Sequence, residues 1–179
     1  HLIEELYRMI ETPLPEKLAE RLRRRAEEAR TGTRESEKGI QKCLHTEKKG
    51  SEERMEKSSE PSECRESVFR DAGKICVAYA CQLPAADCGE LERFTRSFNY
   101  GSKECIKTVE DIPKLGIKTF FCSDVCALYR RSSYEQLGGF VRRAIFNEDM
   151  IFASKVIRNF GAVGYCGRAK VIHSHNYSG

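Results

Sequence analysis

Two short stretches hold the residue types that can move a proton and steady a charged leaving group. They are Phe146-Asn147-Glu148-Asp149-Met150 and Val171-Ile172-His173-Ser174-His175. The first sets an acidic pair where a helix should start. The second ends an apolar strand with two histidines flanking one serine, and the two-residue period of a strand turns both to one face. A carboxylate at such a place can act as general base toward a hydroxyl, and an imidazole can help hold a divalent cation against a departing diphosphate. Each residue also has a plainer reading. Acids in a first helical turn complement the helix dipole, and a histidine closing a strand is often just hydrogen-bonded.

The elements that must position these groups follow from the apolar pattern. Ile75-Cys76-Val77-Ala78-Tyr79-Ala80 is a continuous apolar run of strand length, ended by the turn Gln82-Leu83-Pro84. Asp87 followed by Glu90 has the form of a capping box, which predicts a helix that packs Leu91, Phe94 and Phe98 against the sheet. Residues 101–118 read as an ordered loop, and Thr119 to Tyr129 as a buried segment. Ser132 to Glu135 repeats the capping form for a short helix that Gly138-Gly139 stops. Asn147 caps a last helix that buries Ile151, Ala153, Val156 and Ile157, after which Ala162–Cys166 and Ala169–His173 make two short strands.

The earlier part of the chain reads differently. Leu2, Ile3, Leu6 and Ile10 share one helical face, Thr12-Pro13-Leu14-Pro15 interrupts it, and a second helix to about Arg30 carries only Leu18, Leu22, Ala26 and Ala29. From there to about residue 70 the sequence is charged and serine-rich without periodicity, the composition of a disordered linker or an insertion. Only the later part is expected to bury a core.

Composition excludes several functions. The net charge of +4 is a small surplus, and the tight cluster Arg23-Arg24-Arg25 is followed at once by Glu27 and Glu28, so a nucleic-acid surface is not indicated. Nine cysteines are present, but none is spaced as paired Cys-x2-Cys knuckles, which argues against zinc. No apolar run approaches the roughly 20 residues of a membrane helix. Cysteines inside apolar runs and the lack of a leader peptide point to a reducing cytoplasm. Gly138-Gly139-Phe140 lacks the strand-first context of a nucleotide loop and reads as a helix stop.

Taken in order, Gln82-Leu83-Pro84, Phe94 to Tyr100, Thr119 to Arg131, Tyr134 to Phe140, the acidic pair and the histidines resemble the bacterial family 2 glycosyltransferases, in particular rhamnosyltransferases. The resemblance runs from near Asp71 to Gly179. It implies an α/β, Rossmann-like GT-A fold of the nucleotide-diphospho-sugar transferase kind, present here as the acceptor-side lobe, residues 71–179. A helical segment, 1–30, and a linker or insertion, 31–70, precede that lobe. Such enzymes begin with a nucleotide-binding βαβ half that ends in an Asp-x-Asp motif. No two aspartates here have that spacing, and residue 1 is His, so the expectation is an incomplete or decayed chain whose first helix follows the missing half.

The same resemblance assigns roles. Asp149 would be the base and Glu148 would support acceptor hydroxyls or the base itself, with inversion at the anomeric carbon. Ser123, Asp124, Arg130 and Arg131 lie on the segment that passes beneath donor and acceptor, where an arginine meets a phosphate or a sugar acid, or else caps the sheet edge. Gln82 bonds a sugar or holds its turn. His173, or His175, would help hold Mg²⁺ or Mn²⁺. The implied partners are a nucleotide-sugar donor, dTDP-rhamnose being the natural case, and a surface polysaccharide acceptor met at the inner face of the cell membrane. The alternative is a noncatalytic α/β module that binds a sugar or a protein.

Overall fold

A computed structural model describes residues 1–31 and 69–173. Most of the expected linker, and His175, lie outside the described residues. The first two elements are α1, Leu2–Glu11, and α2, Glu16–Arg30. Thr12 is extended at the break between them, where Pro13 and Pro15 have no N–H to continue a helix. Both helices enter the main core, contrary to the expectation that only the later part would bury one: Leu6, Met9, Ile10, Leu14, Ala19, Leu22 and Ala26 are all buried with the sheet residues. Burial of Leu6 and Leu22, both 0% exposed, contributes about 1.5–3 kcal/mol each. Ile3 is exposed and Met9 takes its place, one step round the helix.

The sheet has four strands in the order β2-β4-β1-β3. Strand β1, Ile75–Leu83, is buried through Gln82, as a strand covered on both faces requires. It pairs in parallel with β4, Ala162–Ile172, and antiparallel with β3, Ala127–Tyr129. The short strand β2, Cys105–Lys107, closes the far edge on β4. Where two terminal strands were expected there is one. Ala80 pairs with Cys166 and Cys81 with Lys170, so residues 167–169 form a bulge and β4 continues past it.

Between β1 and β4 the chain forms α3, Glu90–Asn99; α4, Ile112–Leu115; α5, Arg131–Gln136; and α6, Glu148–Arg158. The stretch read as a loop therefore holds β2, α4 and 3-10 turns. Its capping box is at Thr108 and Asp111 and went unread. The expected capping boxes are absent. Gly89, not Asp87, caps α3, and no side chain caps α5. Ser132 and Ser133 donate instead to Asp71 Oδ2, at 2.6 and 2.8 Å. Gly138 and Gly139 do stop α5, both with positive φ, and a Cβ at Gly139 would strike the Tyr134 ring.

Helix α6 packs through Phe152, Ala153, Val156 and Ile157, with Phe152 in the place expected of Ile151. The Phe152 ring joins Tyr129, Tyr134 and Phe140 in edge and tilted contacts of 5.2 to 5.7 Å. Helix α3 is turned the opposite way from its prediction. Leu91, Phe94 and Phe98 are exposed, while Glu92 is buried. Its polar face looks inward because its acid and arginine have partners there, described next.

Candidate active site at the strand ends

Parallel β1 and β4 end side by side, and the His173 N–H donates to the Leu83 carbonyl at 3.1 Å. The carboxyl ends of adjacent parallel strands are where open α/β sheets leave a crevice. A cavity of about 330 Å³ opens there, lined by Gln82, Leu91, Glu92, Thr95, Arg96, Tyr100, Ser123, Val125 and His173.

Its floor is a chain of polar contacts. Gln82, buried, donates from Nε2 to Ser123 Oγ and accepts at Oε1 from Arg96 Nη1. Arg96 also faces Glu92 one helical turn back, at 3.5 Å, with both side chains largely buried. Tyr100 lines the same cavity, and burial raises its phenol above the ordinary range.

Beside this floor stands the acidic pair, in the first turn of α6. Asn147 takes the left-handed conformation, φ 65°, and its side chain caps nothing. Asp149 serves the turn instead. Its Oδ1 accepts from the Met150 N–H at 2.6 Å, and its Oδ2 accepts from the Asp124 N–H at 3.2 Å. The carboxylate thus reaches across to the residue that follows Ser123. Burial pushes it above the usual carboxylate range, and the charges of Asp124 and Glu148 add to this, against the two backbone donors. A half-buried carboxylate raised in this way is a stronger base than an exposed one.

The structure therefore gathers Gln82, Ser123, Asp124, Glu148, Asp149 and His173 at one end of the sheet. Arg130 and Arg131 are not among them. Because β3 runs antiparallel to β1, the chain leaves it beside Ile75 and Cys76, at the opposite end. There Arg130 donates to the carbonyls of Ile10 and Ile75, at 2.8 and 3.1 Å, and pairs with Glu11 at 3.1 Å, which ties α1 to the start of β1. Arg131 is exposed and pairs with Glu135.

Among the described residues, no set of three His, Cys, Asp or Glu donors close enough to share an ion includes His173. The one such set among the described residues is Glu5, Glu104 and Cys166, and Arg8 and Arg168 already pair with those carboxylates.

Two residues of the site, and one buried lysine on β2, were not read from the sequence. Glu92 and Arg96 have the i, i+4 spacing of a helical pair, which could have exposed them had the helix not been oriented by its aromatic residues. Lys107 had no such clue. Buried on β2, it donates to Tyr79 Oη and to the Phe121 carbonyl and lies over both rings, and burial lowers its pKa.

The chain is similar to two O-antigen chain rhamnosyltransferases. It is 48% identical over 104 residues to RfbN of Salmonella typhimurium, which is 57% of this chain and 33% of the relative. It is 46% identical over 114 residues to WbaN of Salmonella anatum, 63% of this chain and 35% of the relative. The resemblance to rhamnosyltransferases drawn from the ordered motifs is thus found again in these aligned segments. The matched segment spans about a third of the length of these curated relatives. No protein-family model and no solved structure matches the chain. No described helix is long and apolar enough to cross a membrane.

Proposed function

We propose that this chain carries the acceptor-side lobe of a GT-A, family 2 glycosyltransferase that moves rhamnose from a nucleotide-sugar donor onto an O-antigen glycan. The observation that carries the reading is the Asp149 carboxylate, raised by burial and hydrogen-bonded to the backbone beside the cavity serine. In this reading an acceptor hydroxyl lies between Ser123 and Asp149. Asp149 takes its proton as the oxygen attacks the anomeric carbon, the bond to the nucleotide diphosphate breaks on the opposite face, and the configuration inverts. Glu148 keeps the acceptor end acidic and Gln82 orients a sugar hydroxyl. The 46–48% identity to enzymes named for O-antigen rhamnosyl transfer supports the choice of sugar.

The test is a chimera in which the matched segment of the Salmonella typhimurium relative is replaced by the corresponding residues of this chain. Rhamnosyl transfer from dTDP-rhamnose to an O-antigen acceptor is the expected result. A chimera that folds and binds donor yet transfers nothing would rule the proposal out.

A further inference from the structure

The cavity at the strand ends contains a charge balance and a directed set of hydrogen bonds that its assignment as an acceptor site does not by itself require. Arg96 is the single lysine or arginine in the lining, and Glu92 stands 3.5 Å from it, so the two charges offset each other. A phosphate or diphosphate site needs a surplus of cations or of backbone N–H groups. The lining side chains offer no such surplus of cations. What Arg96 does with its charge is donate to Gln82 Oε1. An amide whose oxygen is claimed by a guanidinium cannot flip without breaking a charge-assisted bond. Its nitrogen must face Ser123, and one hydrogen on that nitrogen remains after the bond to Ser123 Oγ is made. The Ser123 oxygen, already accepting, carries a hydroxyl proton that a guest can accept. Leu91 and Val125, both exposed, add apolar surface to the same lining.

From this we infer that the cavity is a subsite for an uncharged sugar ring, and that Arg96, anchored by Glu92, is a positioning residue that fixes the Gln82 amide as the group reading a ring hydroxyl. The apolar lining then faces the carbon side of the ring, as hydrophobic walls with a few placed polar groups do in small-molecule sites. The volume of about 330 Å³ is at the small end for such sites, suited to one ring and not to a nucleotide. The inference rests on the reading of this cavity as a sugar site, but it does not need the chain to transfer anything.

The test is ¹⁵N–¹H NMR on the full chain, following the Gln82 side-chain amide, with methyl α-L-rhamnopyranoside and inorganic pyrophosphate as probes. The rhamnoside should shift the Gln82 amide and the backbone resonances of Ser123 and Tyr100, and pyrophosphate should not. Arg96→Met should move the Gln82 amide resonance in the unliganded protein and weaken rhamnoside binding about tenfold, the factor that about 1.4 kcal/mol represents. Arg96→Lys, which keeps a charged donor without the fork, should recover part of both effects and serves if the Met variant fails to fold. Glu92→Gln should let pyrophosphate begin to bind. Pyrophosphate shifting the same resonances in the unaltered chain would overturn the neutral subsite, as would failure of the rhamnoside to shift them. A Gln82 amide unmoved by Arg96→Met would overturn the positioning role. A chain that binds the rhamnoside here while the chimera transfers nothing would fail the proposed function and leave this inference standing.

Discussion

Asp71→Asn is the substitution whose cost can be worked most directly from the structure. Asp71 is 2% exposed, and its Oδ2 takes the hydroxyls of Ser132 and Ser133 at 2.6 and 2.8 Å, while Oδ1 takes Lys74 Nζ at 3.1 Å. These bonds join the turn before β1 to the start of α5. Hydrogen bonds to a charged group are worth about 1.5–3 kcal/mol and neutral ones about 0.5–1.5, so an asparagine that keeps both hydroxyls on its one oxygen loses roughly 1 kcal/mol per bond, about 2 in all. Lys74 is half exposed, and its pair adds little to the sum. The pH dependence gives the reasoning a second edge. Burial pushes the Asp71 carboxyl up, but the two serine hydroxyls and Lys74 together outweigh it and leave the carboxyl below its ordinary value. A depressed folded pKa gives stability that is whole above the unfolded value, near 3.9, and drains away as pH falls through the folded one. Urea unfolding followed by circular dichroism should therefore show unaltered chain and Asn variant separated by about 2 kcal/mol from pH 5 to 8 and converging below pH 4. Equal stability at pH 7, or a gap that persists undiminished at pH 2.5, would refute the account.

Other outcomes follow from the same geometry. In the chimera, Asp149→Asn should preserve donor binding and lower turnover by a factor on the order of 10² to 10⁴, because the amide keeps the bond to Asp124 N–H but takes no proton. The acid limb of the unaltered chimera's pH–rate profile should lie above the ordinary carboxylate range, since burial raises Asp149 and rate is lost as pH falls through its pKa. Phe152→Ala, at 0% exposure among Tyr129, Tyr134 and Phe140, should cost about 3–5 kcal/mol in chemical denaturation. Arg130→Met should speed amide exchange through α1 by releasing Ile10 and Glu11 while leaving the rhamnoside-induced shifts at the other end of the sheet unchanged.

What could be read along the chain was what depends on neighbours in sequence. The apolar run at Ile75 became β1 because a strand buried on both faces needs only a continuous run, and the acidic pair became the first turn of α6 because the dipole acts locally. Where a residue's partner is far away, local rules misassigned it. Ser132 and Ser133 have the spacing of a capping motif, yet an aspartate more than sixty residues earlier holds both hydroxyls. Local grammar gives no view of that competition. The N-terminal helices were undervalued for a related reason. Their apolar stripe is thin, but Ala19 and Ala26 bury well because small side chains let a helix come close to its neighbours, which a count of large hydrophobic residues does not weigh.

Helix α3 shows most clearly how the site itself overrode the pattern. Leu91, Phe94 and Phe98 mark a face that hydrophobic periodicity would bury, and the opposite face carries an acid and an arginine that would ordinarily stay in water. The helix instead turns the Glu92 and Arg96 pair onto Gln82 and leaves the aromatic rings outside, with Phe94 and Phe98 stacked on each other at 6.1 Å. Exposing three large apolar side chains forgoes several kcal/mol of burial, at about 1.5–3 kcal/mol for each. Sequences give up local consistency of this kind chiefly where a functional group must be held. The two arginines that the motifs promoted, Arg130 and Arg131, are carried by the antiparallel run of β3 to the structural end of the sheet. The arginine that reaches the cavity is the one whose helix faces the unexpected way, and the cost of that orientation is itself the argument that Arg96 serves the site.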